Sequence, residues 1–148
     1  MDSEEARTLL ASARVARLAT CDAERQPHLV PITFAVAEDL ILTAVDDKPK
    51  RTIRLRRLRN IEANPRVGVL ADHYEDDWSR LWWARAHGIA RVLEPGAPEH
   101  ADAVARLARR YEQYRERPPR GPAIAIRVSR WSGWRATSSP WRCGHPCP

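Results

Sequence analysis

Disulfide bonds have little to work with in this sequence: it holds three cysteines, Cys21, Cys143 and Cys147, two of them within the last six residues. An odd number so placed argues against a disulfide framework and for reduced thiols. Nor does any apolar run approach the roughly 18 residues that a membrane-crossing helix requires, so no membrane association is expected. The opening MDSEEARTLLASAR is acidic and lacks the basic stretch and apolar core of a secretory signal, which makes the cytoplasm the expected compartment. There is no internal repeat. The CGHPC stretch at 143–147 gathers Cys, His and Cys, but a metal site usually wants four ligands and no second pair stands near in sequence. A frayed tail with exposed thiols is the plainer expectation, and no metal is expected.

What is present describes one globular domain. A chain of 148 residues can bury a core without disulfides or metal, and its balance of 43% hydrophobic and 30% charged residues is that of a soluble protein. Ser3, two glutamates and the pattern AxxLLxxA predict a capped N-terminal helix that ends near Arg14. VARLATCD at 15–22, HLVPITFAV at 28–36 and LILTAV at 40–45 then predict a three-stranded antiparallel meander. Pro31 cannot donate to a ladder, so it marks either an edge position or an irregularity that opens backbone groups to a ligand.

A basic helix follows and stops at Asn64-Pro65. VGVLAD at 67–72 and LWWARAHGIARVLE at 81–94 read as strands, the second with Ala84, Ala86, Gly88, Ala90 and Val92 on a face suited to close packing. Residues 99–116 predict a helix with Val104, Leu107, Ala108, Tyr111 and Tyr114 on one stripe, and AIAIRVSRWSGW at 123–134 predicts the last strand. The order implies an α+β protein of about six antiparallel strands whose sheet curls into a barrel over residues 1–136. Residues 137–148 have too much Pro and Ser and too few apolar side chains to fold with it.

Charge is concentrated rather than spread. From Asp46 to Arg66 eight bases stand against three acids, a net +5 in a chain whose total is +6. A solvated basic face is one reading of such a run. Nucleic acid is another, but the bases crowd onto one element and Trp78, Trp82 and Trp83 are not interleaved with them, so no nucleic-acid partner is expected. A discrete phosphorylated or carboxylated ligand fits better. Helix N-termini favour anions, arginine forks match phosphate and carboxylate, and bases at a helix start are unfavourable unless an anion compensates them.

The hairpin ATCDAERQPHLVPITFAV with its PxxxP, the Arg-rich helix ending RLRNIEANPRVGVL, and the order of elements resemble the split β-barrel flavoproteins of the pyridoxamine 5′-phosphate oxidase superfamily, the FMN-binding split barrel. Within it, the segments DDKPKR, HYEDDWSRLWW and RWSGW look most like the actinobacterial enzymes dependent on the deazaflavin coenzyme F420. The resemblance implies a homodimer with cofactor sites at the subunit seam. By the same resemblance Pro31, Ile32 and Thr33 would line the ring, while Arg56, Arg57 and Asn60 would sit at the phosphate. Lys50 and Arg54 would be available to an oligoglutamate tail, and Trp78 and the other subunit's Trp131 would flank the site.

Such a protein would be an F420-dependent oxidoreductase acting on a small unsaturated or quinone-like acceptor. An FMN-binding oxidase, or a flavin or tetrapyrrole carrier without turnover, is the alternative. Because the cofactor carries the chemistry, no Ser-His-Asp set is needed. His28 and His87, on strands, are the remaining candidates for proton transfer. Tyr74, Glu75, Asp76 and Asp77 are expected in a mobile rim over the substrate, and the run Trp78, Trp82 and Trp83 in core or seam contacts more than in ligand stacking.

Overall fold

The computed structural model describes residues 1–45 and 55–137. The chain runs α1 (Ser3–Ser12), β1 (Ala16–Cys21), β2 (Pro27–Ile32), β3 (Ala35–Ala37), β4 (Leu40–Ala44), α2 (Arg56–Ala63), β5 (Arg66–His73), β6 (Trp82–Leu93), α3 (Pro98–Arg110), α4 (Glu112–Glu116) and β7 (Ala123–Arg135). A single 3-10 turn, Trp78–Arg80, precedes β6. Among the described residues no helix is long and apolar enough to cross a membrane.

Helix α1 starts one residue earlier than its Ser-Glu-Glu signature suggests. Asp2 accepts from the Glu5 amide at 2.8 Å and the Glu5 carboxylate accepts from the Asp2 amide at 2.9 Å, a reciprocal cap that satisfies two otherwise orphaned donors.

The seven strands form one antiparallel sheet in the order β2-β1-β5-β6-β7-β4-β3. The expected three-stranded meander is therefore not what forms. Residues 28–36 divide between two strands that lie on opposite edges, and β4 pairs with β7 rather than with β2. Only Thr33 and Phe34 separate β2 from β3, so the sheet must curl until its edges approach each other. The result is an α+β split barrel. Pro31 sits in register opposite Arg17 on the edge strand β2, where a missing N–H costs nothing in the ladder.

The break at Thr33–Phe34 has a cause far away in sequence. Tyr111 is 5% exposed, and its hydroxyl accepts from the Phe34 amide at 3.0 Å while its proton is shared between the carbonyls of Arg14 at 2.9 Å and Phe34 at 3.0 Å. Both backbone groups of Phe34 are thereby taken out of strand pairing. To place that hydroxyl, Tyr111 adopts extended backbone (φ −121°, ψ 119°) and splits the expected helix over 99–116 into α3 and α4.

Two apolar layers hold the barrel. Inside it, Leu18, Val69, Ala84, Ala86, Ile124 and Ile126 pack against Leu9 and Leu10 of α1 and Leu58 and Ile61 of α2. Outside it, Leu107, Tyr111 and Tyr114 cover Leu42, Ala44, Leu93, Ala123 and Ala125. Covered on both sides, β4 and the start of β7 are buried at nearly every residue, which is why LILTA and AIAI read as continuous apolar runs. Removing a leucine such as Leu107 fully from water contributes about 2 kcal/mol.

Small residues on β6 serve close approach. A Cβ at Gly88 would lie 2.4 Å from the Arg127 carbonyl oxygen and 2.9 Å from Ile126 Cγ2. The pairing of β6 with β7 slips at this point, where His87 faces Arg130 but Gly88 faces Val128, leaving Ser129 as the extra residue of a bulge.

Candidate functional site

The β1–β2 hairpin and the start of α2 meet at one corner of the barrel. Asp22 organises the hairpin, its Oδ1 accepting from the amides of Glu24 at 2.9 Å and Gln26 at 2.8 Å. Its other oxygen lies 3.6 Å from the Arg56 guanidinium. That pair is half-exposed and long, a geometry that contributes at most about 1 kcal/mol, so it competes weakly with any better anion.

Helix α2 begins without help. Leu55 occupies the N-cap, no side chain caps the helix, and its first turn contains no acid. The helix dipole therefore adds to the charges of Arg56 and Arg57. The apolar face of α2 orients this end: Leu58 and Ile61 are 2% and 3% exposed in the barrel core, which leaves the arginines of the first turn toward the hairpin.

His28 records their proximity. Its pKa is held below the ordinary 6.5, first by burial and then by the positive charges of Arg56 and Arg57. Its Nδ1 is buried and has no hydrogen-bond partner among the described residues. An electropositive corner beside an imidazole nitrogen with no partner among the described residues has the chemistry of an anion cradle.

The other expected site residues fall in several places. Asn60 is on the same helix but 4% exposed, and its amide donates to the Thr20 hydroxyl at 3.0 Å, which ties α2 to β1. Pro31 is exposed on the open edge of β2, and Ile32 points into the core. Thr33 lies in the link between the edges, its carbonyl accepting from the Thr43 hydroxyl at 2.7 Å and its own hydroxyl 2.8 Å from that of Tyr114. Trp78 is 68% exposed in the β5–β6 loop. Trp131 is 9% exposed on β7, its indole donating to Asp39 at 3.0 Å. Lys50, Arg54 and the CGHPC stretch lie outside the described residues.

The acidic loop expected over the substrate is laced to itself. Glu75 receives His73 at 2.6 Å and Arg80 at 3.1 Å, and His73 stacks on Trp82 at 6.3 Å between ring centroids. Asp77 caps the 3-10 turn through both the hydroxyl and the amide of Ser79, which hold its carboxyl below the usual range. His87 is exposed on the outer face of the sheet, opposite Gly68.

An antiparallel sheet curled until two edges separated by two residues meet, with a helix between the fourth and fifth strands, defines the split-barrel class. The sequence model described as pyridoxamine 5′-phosphate oxidase matches residues 2–135, and the chain belongs to that family. No curated protein matches the sequence. Among solved structures, the conserved hypothetical protein Rv2991 from Mycobacterium tuberculosis is similar at 21% identity and a TM-score of 0.71, with 92% of this chain and 86% of that one covered. A FAD-binding protein from Mesorhizobium loti gives 20% identity and 0.70 over 90% and 94%. The heme storage protein HutZ from Vibrio cholerae gives 16% and 0.67 over 89% and 90%. At these identities the likeness establishes a shared fold.

Proposed function

We propose that this protein binds coenzyme F420 and is an oxidoreductase acting on a small unsaturated or quinone-like acceptor. The observation that carries this reading is the α2 corner: Arg56 and Arg57 open a helix with no side-chain cap, beside a half-buried His28 whose Nδ1 has no partner among the described residues. Arg56 and Arg57 would hold the phosphodiester, and Lys50 and Arg54, a few residues upstream, the carboxylates of the tail. The open edge of β2 at Pro31 and Ile32, and the Thr33 link that continues it, would lie along a planar ring. When bound, the deazaflavin supplies a two-electron hydride donor or acceptor. The chain's own part is to bind, orient and neutralise charge.

A homodimer with its sites at the seam belongs to the same proposal. The outer face of the sheet supports it: Leu29, Leu70 and Ile89 are 65%, 39% and 49% exposed around the small residues Ala19 and Gly68.

A flavin is the second reading, supported by the FAD-binding protein from Mesorhizobium loti with the same fold. The excess of arginine favours F420, which carries a phosphodiester and several carboxylates, over FMN. Titrating the purified protein with F420, FMN and FAD while following ring fluorescence separates the two. Tight binding of F420 is expected, and binding of the flavins alone overturns the deazaflavin reading. Turnover of reduced F420 with a panel of acceptors then distinguishes an enzyme from a carrier.

A further inference from the structure

A cavity of about 940 Å³ opens between α4, the segment that follows it, and the Thr33–Phe34 link. It lies in the size range of small-molecule sites. Its lining differs from the α2 corner in every residue, and Thr33 is its one connection to the strand edge proposed for the ring.

The walls are preorganised. The Tyr111 ring is fixed by the three bonds of its hydroxyl, and Tyr114 meets it edge to face with centroids 5.7 Å apart and planes at 70°. The Tyr114 hydroxyl is in turn held by Thr33 at 2.8 Å. Pro118 and Pro119 stiffen the far side. Such rings offer flat apolar surface at little entropic cost.

The charge is one-sided. Arg14, Arg117 and Arg120 line the cavity against the single acid Glu116. The Arg14 guanidinium is held in place, 4.7 Å over the Tyr111 ring and donating to the Arg110 carbonyl at 3.1 Å. A neutral ring would gain only stacking from these cations, whereas a carboxylate on it would add charge-assisted hydrogen bonds.

We infer that this cavity binds the acceptor, and that the acceptor is a planar aromatic or quinone acid. Naming the ligand an acceptor rests on the function proposed above, but its binding requires no cofactor. The probes are anthraquinone-2-carboxylate and its neutral counterpart 2-(hydroxymethyl)anthraquinone, followed by quenching of tryptophan fluorescence in the cofactor-free protein. The wild type is expected to bind the acid at least about tenfold more tightly than the neutral compound, the yield of one charge-assisted bond.

Arg117→Gln with Arg120→Gln is expected to weaken that preference, and Arg14→Gln added to them to abolish it, while the affinity for F420 or FMN is unchanged. Equal binding of the two probes by the wild type, or a preference that survives in the triple variant, overturns the inference. A protein that binds the acid in an arginine-dependent way but takes up no cofactor upholds the site and removes the redox reading instead.

Discussion

Replacing Tyr111 by phenylalanine removes one oxygen and leaves the packing of the ring intact, so its effect isolates the hydroxyl that holds the barrel's split edges. Phe34 is fully buried, and the Tyr111 hydroxyl accepts from its amide. A buried N–H left unsatisfied costs about 1–3 kcal/mol, and the proton shared between the Arg14 and Phe34 carbonyls adds about 1 kcal/mol. Arg14 is exposed, so its carbonyl can turn to water and the sum falls near 2–3 kcal/mol. For a domain of this size that corresponds to a fall in Tm of about 5–10 °C. The comparison is Tyr114→Phe, whose hydroxyl meets a Thr33 side chain at the wall of an open cavity and should cost about 1 kcal/mol or less. Urea titration followed by tryptophan fluorescence measures both. Equal losses in the two variants, or a Tyr111→Phe midpoint within error of the wild type, would refute the assignment of the edge link to this hydroxyl.

Two further substitutions test the barrel and the α2 corner. Gly88→Ala would drive a methyl against the backbone of Arg127 at the bulge and should destabilise by about 2–3 kcal/mol in the same titration. Gly68→Ala meets nothing within 4 Å and should be close to neutral. His28 makes the corner pH-sensitive. Because its folded pKa lies below the ordinary 6.5, the unfolded chain takes up its proton first. The stability contribution is complete above that value and is lost as pH falls through it toward the folded pKa. His28→Gln should remove this slope in stability measured from pH 7 down. An anion held by Arg56 and Arg57 should raise the His28 pKa, visible in an NMR titration of its ring protons with and without cofactor; an unmoved pKa would place the anion elsewhere.

Most elements are legible from local pattern. Alternation marks β1, β5 and β6, the apolar stripe marks α3, and the Leu58–Ile61 spacing places α2 with its bases outward. What misleads is the run 28–36, which is mostly apolar and rich in β-branched residues and so reads as one strand. Its division is decided by Tyr111, some 80 residues away, and the partner of β4 is set by β7 at a similar separation. No local signal carries either fact. Tyr111 and Tyr114 are recognisable as members of a buried stripe, but the bonds of their hydroxyls are not.

At the candidate site the charge of α2 is plain from composition, whereas the contribution of Asp22 and His28 appears only when the β1–β2 hairpin is folded against the helix. Asn60 enters as a phosphate contact only through the family resemblance, and nothing in the sequence reveals that Thr20 lies across from it.

Cofactor titration of the Arg56→Gln, Arg57→Gln double variant reads the grip of these two arginines on an anionic cofactor at the start of α2. Arg56 is half-exposed, so each charge-assisted bond is taken at the low end, about 1.5 kcal/mol, and the pair at about 3 kcal/mol. An affinity for F420 about 100-fold weaker than that of the wild type is expected, with a Tm within about 4 °C of it, since the Arg56–Asp22 pair contributes at most about 1 kcal/mol. An affinity equal to the wild type's would contradict that grip.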